Sequence, residues 1–174
     1  MYFKATMETK IKLMTYLIGY GIGLGIPLVL SVSFFASGKL PLGLVPAGIV
    51  LLVFFITYLY RPLGYEVDGK GISVVRPIGK KFFPRVSIAS VTGNTDILSL
   101  PSIGLWRSGG FYGIYGIFWT RKYGRFLMYV TNCKNIIEIA LKDGLRVYLS
   151  PDAKQAFLDA ATGAGKTLKE NEIR

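Results

Sequence analysis

The side chains that could carry chemistry are few, and their spacing excludes more than it supports. The 174-residue chain has no histidine and one cysteine, Cys133. Without imidazole there is no histidine general base, no His-bearing triad and no His-containing metal site. A single thiol excludes an internal disulfide framework, a four-cysteine zinc site and a CxxC redox pair. No catalytic residue, metal or cofactor is therefore expected, and the chain reads as a non-enzyme. Gly163-Ala164-Gly165-Lys166-Thr167 imitates the end of a phosphate-binding loop. The full GxxxxGK[ST] pattern needs glycine where Ala160 stands, and a strand rather than a helix before it. The glycines at 19–25 and 109–116 do not form GxGxxG between a strand and a helix, so no dinucleotide site follows. Glu66 and Asp68 share a strand face at i, i+2, but nothing places a substrate beside them. Cys133 lacks a histidine to activate it; Lys134 is the neighbour that would lower its pKa, and an inert thiol is expected.

The elements that position these residues fall into two parts. A mean hydropathy of +0.43 accompanies a net charge of +11, so apolar and basic residues must occupy different stretches. Leu13 to Gly38 is 26 residues without a charge, and after Lys39 the stretch Leu40 to Tyr60 is 21 more. About 20 helical residues cross a hydrocarbon layer of roughly 30 Å. Two transmembrane helices, 13–36 and 41–60, are expected, joined by a tight turn at Ser37-Gly38-Lys39-Leu40-Pro41. The first run exceeds the roughly 7–15 apolar residues of a signal peptide, and a second run follows at once. Lys4, Lys10 and Lys12 precede the first span and Arg61 follows the second, which places both termini in the cytoplasm by the positive-inside bias. Neither span holds an Asp, Glu, Lys, Arg, Asn or Gln, so the hairpin reads as an anchor or assembly surface rather than a transport pathway. Gly19, Gly21, Gly23 and Gly25 form two i, i+4 pairs. They suit either an oligomer interface or packing of the first helix on the second. Pro27 frees the carbonyl four residues earlier and predicts a kink near Gly23.

Residues 61–162 read differently, as short apolar runs between turn signals. Tyr65–Val67, Asp68-Gly69 and Ile72–Val75 make a hairpin. Lys81–Phe83 and Ile88–Thr92 are further strands, and Gly116–Thr120 with Arg125–Val130 forms a second hairpin. Ile136–Leu141, the turn Asp143-Gly144 and Leu145–Leu149 make a third. Strands at this spacing predict an antiparallel sandwich or barrel. Ser150-Pro151 then offers an N-cap and a first-turn proline, with Asp152 favouring the helix dipole. Ala153, Ala156, Phe157, Ala160 and Ala161 give helical periodicity, with Gly163 as the stop and a flexible tail over 163–174. Residues 1–12 complete the division as a cytoplasmic N-terminus.

Several of these residues carry a family resemblance. Gly109-Gly110, Gly113 and Gly116 precede an aromatic strand and Tyr129-x-Thr131-Asn132. Asp143-Gly144, Leu149-Ser150-Pro151-Asp152 and Phe157-Leu158 follow, with Phe83-Pro84, Ile88 and Val91 earlier. Over roughly 65–162 the chain resembles the bacterial pleckstrin-homology (PH) domain families of small membrane proteins. The resemblance implies a bent sandwich of about seven antiparallel strands capped by a C-terminal helix, and the two uncharged runs add the expectation of a multi-pass inner-membrane protein. The fold class expected is thus α+β: a two-helix transmembrane hairpin followed by a PH-like antiparallel β-sandwich with a capping helix. Lipid-binding relatives use a basic loop between their first two strands, which here is only Asp68-Gly69-Lys70, so no phosphoinositide specificity is carried over.

Two surfaces remain as candidates for partners. Residues 61–174 hold 17 basic and 9 acidic side chains. Arg76, Lys80, Lys81 and Arg85 flank one strand, while Arg121, Lys122 and Arg125 cluster on a hairpin. Near an anionic leaflet each base contributes ~1 kcal/mol of attraction, unless the excess serves only topology. Trp106, Phe111, Tyr112, Tyr115, Phe118 and Trp119 alternate with glycines; they suit a membrane interface, a partner surface or a barrel core. The expected function is a membrane-anchored binding or scaffold module that recruits a protein partner or contacts anionic lipid. The alternatives are a homo-oligomeric structural protein and an accessory subunit of a transporter or membrane enzyme. Membrane lipids, an unidentified protein and a second copy are the expected partners, and nucleic acid is not.

Overall fold

Buried side chains recur every second residue through Tyr65, Val67, Ile72, Val74 and Phe83, and this period builds the first sheet. In a computed structural model that describes residues 1–37, 40–93, 96–109 and 111–171, ten strands and four α-helices are present among the described residues. The first sheet has the order β1 (Tyr2–Lys4), β2 (Gly64–Val67), β3 (Gly71–Arg76), β4 (Gly79–Pro84), antiparallel throughout. The Asp68 carboxylate closes the β2–β3 turn by accepting from the Lys70 and Gly71 amides at 2.9 and 2.8 Å. A Cβ on Gly71 would lie 2.2 Å from the Phe83 carbonyl oxygen, so the close pairing of β3 with β4 requires glycine there.

The second sheet contains β5 (Ile88–Thr92), β6 (Ile103–Gly109), β7 (Ile114–Thr120), β8 (Gly124–Val130), β9 (Ile137–Leu141) and β10 (Arg146–Leu149). Its order is β5-β9-β10-β8-β7-β6. The expected sandwich was antiparallel, yet β10 runs parallel to β8. The chain leaves β8, crosses to β9, and the β9–β10 hairpin returns between them, which forces that one parallel pairing. Ile137, Ile139, Val147 and Leu149 face the first sheet and form the main core with Tyr65, Val74 and Phe157. The opposite face carries a smaller cluster, with Phe118, Phe126, Met128 and Tyr148 under Ile97.

Helix α4 (Lys154–Asn171) buries Phe157 and Ala161 completely, and Phe157 meets Phe3 and Tyr65 edge-on. Two expectations about this helix are corrected. Ser150 is not its N-cap: the hydroxyl oxygen accepts from the Thr131 and Asn132 amides at 2.8 and 3.1 Å, and the helix starts four residues later. Gly163 does not end it either, because one interior glycine costs a helix only about 1 kcal/mol.

On the N-terminal side, α1 (Thr9–Met14) continues into a π-helical stretch, Thr15–Ile22, and then α2 (Gly23–Ala36). The change of helix type falls at Ile22/Gly23, four residues before Pro27, where a kink was expected. Helix α3 (Leu40–Tyr60) packs against α2. Among the described residues one helical stretch, Thr9–Phe34, is long and apolar enough to cross a membrane by length and composition, and little of it is buried. Such exposure is foreign to the core helix of a water-soluble domain. The turn residue Lys39 lies outside the described residues.

The first eight residues are tied to the β domain, which the sequence does not signal. Besides β1, the Met1 ammonium donates to the Val67 carbonyl, and the Glu8 amide to that of Thr131 at 2.9 Å. Asp152 accepts from both the amide and the hydroxyl of Thr6, at 2.9 and 2.5 Å. The carboxylate expected to serve a helix dipole thus holds the N-terminal segment.

Candidate functional site

Glycine-rich, aromatic sequence between β6 and β7 makes a loop that reaches back to the helices. Tyr112 adopts the left-handed conformation (φ 59°), which an L-residue enters only when its surroundings hold it there. Gly113 follows at φ 145°, and a Cβ there would lie 2.8 Å from the Val130 carbonyl oxygen. The Tyr112 amide donates to the buried Thr15 hydroxyl oxygen at 3.0 Å, and Thr15 in turn donates to the Ile11 carbonyl at 2.8 Å. Tyr112 and Tyr20 join through their hydroxyls, and the Tyr115 hydroxyl donates to the Thr57 main-chain carbonyl. Phe111 meets Phe54 edge-on at 5.3 Å, and Tyr112 meets Tyr58 the same way at 5.8 Å. Burial, reinforced by the bond to Tyr20, pushes the Tyr112 hydroxyl well above its ordinary pKa, so the contact is neutral at physiological pH.

This junction assigns the glycine pattern a concrete role at one position. A Cβ on Gly19 would fall 2.4 and 2.8 Å from ring carbons of Phe111 and 3.4 Å from Phe54. At Gly25 a Cβ would meet nothing within 4 Å, and at Gly21 only the Tyr16 carbonyl oxygen at 3.9 Å. Gly23 opens α2. Of the aromatic set, Phe111, Tyr112 and Tyr115 face the helices, Phe118 lies in the smaller core cluster, and Trp119 is 39% exposed near the far end of β7. Trp106 lies within β6, but its side chain and Gly110 lie outside the described residues.

The seven expected headgroup bases differ in their surroundings. Lys80 pairs with Glu66 and Lys122 with Asp96, each at 2.6 Å. Arg85 donates to the Ala161 carbonyl and so ties the β4–β5 turn to α4. Arg121 and Arg125 are exposed at the β7–β8 turn, about 20 Å along the strand from the docked end at ~3.3 Å per residue. Lys81 is exposed on β4, opposite Val74. Arg76 lies over the Tyr60 ring at 5.4 Å, beside the end of α3.

Sequence reasoning missed how Arg61 is used. Its guanidinium sits 4.3 Å from the Tyr58 ring centre and 5.4 Å from that of Tyr112, a stacked cation between helix and loop. The signal was present as the first charge after the second apolar run. A second unforeseen network lies on the outer face, where Glu138 accepts from Arg146 and, at 3.0 Å, from Tyr148. Arg146 stacks on Tyr123, whose hydroxyl donates to Asp96 at 2.9 Å, and this fastens the 96–102 segment over the smaller cluster. Cys133 is unactivated: burial, then the Glu8 carboxylate, raises its pKa above the usual thiol value. Among the described residues no group of His, Cys, Asp or Glu could hold a metal ion.

Compared with known proteins, residues 63–164 match a family model described as a bacterial PH domain. No curated protein and no solved structure matches the chain.

Proposed function

The chain belongs to the bacterial PH domain family, and we propose that it is a non-enzymatic, membrane-anchored member whose β domain is held in one orientation at the membrane surface. Domains of this family are binding or scaffold modules and generally not catalysts. The observation that carries the proposal is the junction: Phe111, Tyr112 and Tyr115 pack on Thr15, Gly19, Phe54 and Thr57 of the apolar helices. A module that only needed tethering would hang from a linker; this one is docked. On this reading residues 13–36 and 41–60 span the inner membrane with both termini cytoplasmic, and the fixed domain recruits a protein partner or contacts anionic lipid.

The test is protease protection of the full-length protein in membrane vesicles. Trypsin added to inside-out vesicles is expected to cut the β domain, while vesicles of the opposite sense protect it and carbonate washing releases nothing. Release by carbonate, or protection in the reverse sense, overturns the reading. A second reading, a homo-oligomer through Gly21 and Gly25, draws support from the open space beside Gly25. Detergent-solubilised protein that cross-links as a discrete dimer, lost in Gly21→Ile/Gly25→Ile, is its signature.

A further inference from the structure

Strand alternation leaves one end of the second sheet uncovered. Ile103, Trp119 and Arg125 are direct cross-strand partners in β6, β7 and β8, so they form one row on one side of the sheet. Their neighbours Phe118 and Phe126 stack at 5.7 Å and are buried in the smaller cluster on the other side. The row therefore points the same way as Tyr115 and Leu127, which enter the main core further along the same strands. At the row itself the core has ended: Ile103 is 64% exposed and Trp119 39%. Arg121 opens the turn just past Trp119. Both it and Arg125 are exposed, and neither joins any of the three ion pairs among the described residues. The other base of that turn, Lys122, is held by Asp96.

We infer that this end of the sheet binds an acidic segment of a partner protein. An apolar side chain of the segment rests on Trp119 and Ile103, and its carboxylates meet Arg121 and Arg125. This rests on the binding-module reading above and supplies the chemistry of the partner. Tryptophan and arginine carry much of the binding energy at protein interfaces, and an apolar centre with charge at its rim is the common arrangement there. A guanidinium fork takes a carboxylate through two parallel hydrogen bonds. With strands about 4.8 Å apart the row is roughly 10 Å across, the width of a single chain segment. An anionic leaflet fits less well. Lipid surfaces are met by clusters of about 4–8 bases, whereas two are free here and the exposed carboxylate of Asp96 lies on the same turn. The row also lies at the opposite end of β7 from Tyr115, which bonds to α3. A second copy fits less well too, because a two-fold interface would set these arginines against themselves on chains already carrying +11.

Full-length protein is placed in phosphatidylcholine nanodiscs and titrated with fluorescein-labelled acidic peptides of alternating Asp and Glu around one central leucine, phenylalanine or tryptophan, with binding read as anisotropy. Saturable binding of at least one peptide is expected, lost when Asn and Gln replace the acids and weakened when serine replaces the centre. Trp119→Ala and Arg121→Gln/Arg125→Gln should each weaken it about tenfold. Lys70→Gln/Lys81→Gln, which removes as much exposed charge from the first sheet, should not. No preference for the acidic peptides, or an equal loss in both charge pairs, overturns the surface. Both arginines are exposed, so their variant decides if Trp119→Ala does not fold, and unchanged binding in it overturns the assignment. In a Trp106→Phe background, quenching of Trp119 by brominated phosphatidylglycerol in the disc puts this end on lipid and overturns the protein partner. Protein that fails to insert defeats the anchored reading, while the same chain in detergent still reports on the peptides; inserted protein whose binding ignores Trp119 and the arginines defeats the surface alone.

Discussion

Replacing Thr15 by valine removes the hydrogen bond that joins the π-helical stretch to the Tyr112 amide of the aromatic loop while keeping the side-chain volume. Thr15 is 1% exposed and its hydroxyl does two things: it donates to the Ile11 carbonyl and accepts from the Tyr112 amide. Valine supplies neither, and the Tyr112 amide, on a residue 7% exposed, is left without that acceptor. An unpaired buried donor costs about 1–3 kcal/mol. Tyr112 already occupies a left-handed conformation, which is unfavourable by roughly 1–2 kcal/mol and persists only while the docking contacts hold it. The two effects act in the same direction, so the loop should open about 5- to 150-fold more often. The assay is hydrogen–deuterium exchange of the peptide spanning 109–116 in reconstituted full-length protein. Thr57→Val is the control: its hydroxyl bonds only within its own helix, to the Val53 and Phe54 carbonyls, while Tyr115 uses the Thr57 main-chain carbonyl. Unchanged exchange in Thr15→Val, or an equal rise in Thr57→Val, refutes the docking as drawn.

Three further outcomes follow from the β domain. Tyr65→Phe deletes a hydroxyl that donates to the Tyr129 carbonyl at 2.5 Å and accepts from the Ser150 amide at 3.1 Å; denaturant unfolding should show a loss of about 2–4 kcal/mol. Burial pushes Tyr65 up from 10.0 to about 12, so its contribution is complete below pH 10 and lost as pH rises towards 12. Stability of the wild type should therefore fall more steeply across that window than stability of the phenylalanine variant. Asp152→Ala frees the Thr6 amide and hydroxyl; because the pair is exposed, the expected cost is about 1 kcal/mol, read as faster proteolysis or exchange at residues 1–8. Cys133, raised by burial and Glu8, should alkylate more slowly at neutral pH than a free thiol, and Glu8→Gln should narrow the gap. Alkylation as fast as free cysteine contradicts the burial.

Much of the β domain was legible because its signals are local. The turn at Asp68-Gly69 lies where the side chain of Asp68 closes it, and Ile137–Leu141 with Arg146–Leu149 pair around Asp143-Gly144 as alternation predicts. The parallel β8–β10 contact was not legible, since period-two alternation records which side chains are buried but not which strand lies alongside. The N-terminal strand was hidden for another reason. Tyr2, Phe3 and Lys4 are too few to show a period, and their partner lies more than 60 residues away.

By itself the amino-acid sequence determined the division of the chain: uncharged runs long enough to span, a basic β-rich remainder, and the absence of imidazole and paired thiols that removes histidine and dithiol chemistry. These depend on composition and on spacing within a few residues, and the physics of transfer and periodicity acts at that range. Only the tertiary structure decided what the charged and aromatic residues do. It spent Lys80, Lys122 and Arg85 on partners within the chain, set Gly19 beneath Phe111, and laid Arg61 on Tyr58 and Arg76 on Tyr60. Such outcomes turn on distances of 3 to 6 Å between residues up to a hundred positions apart, and no local pattern encodes them.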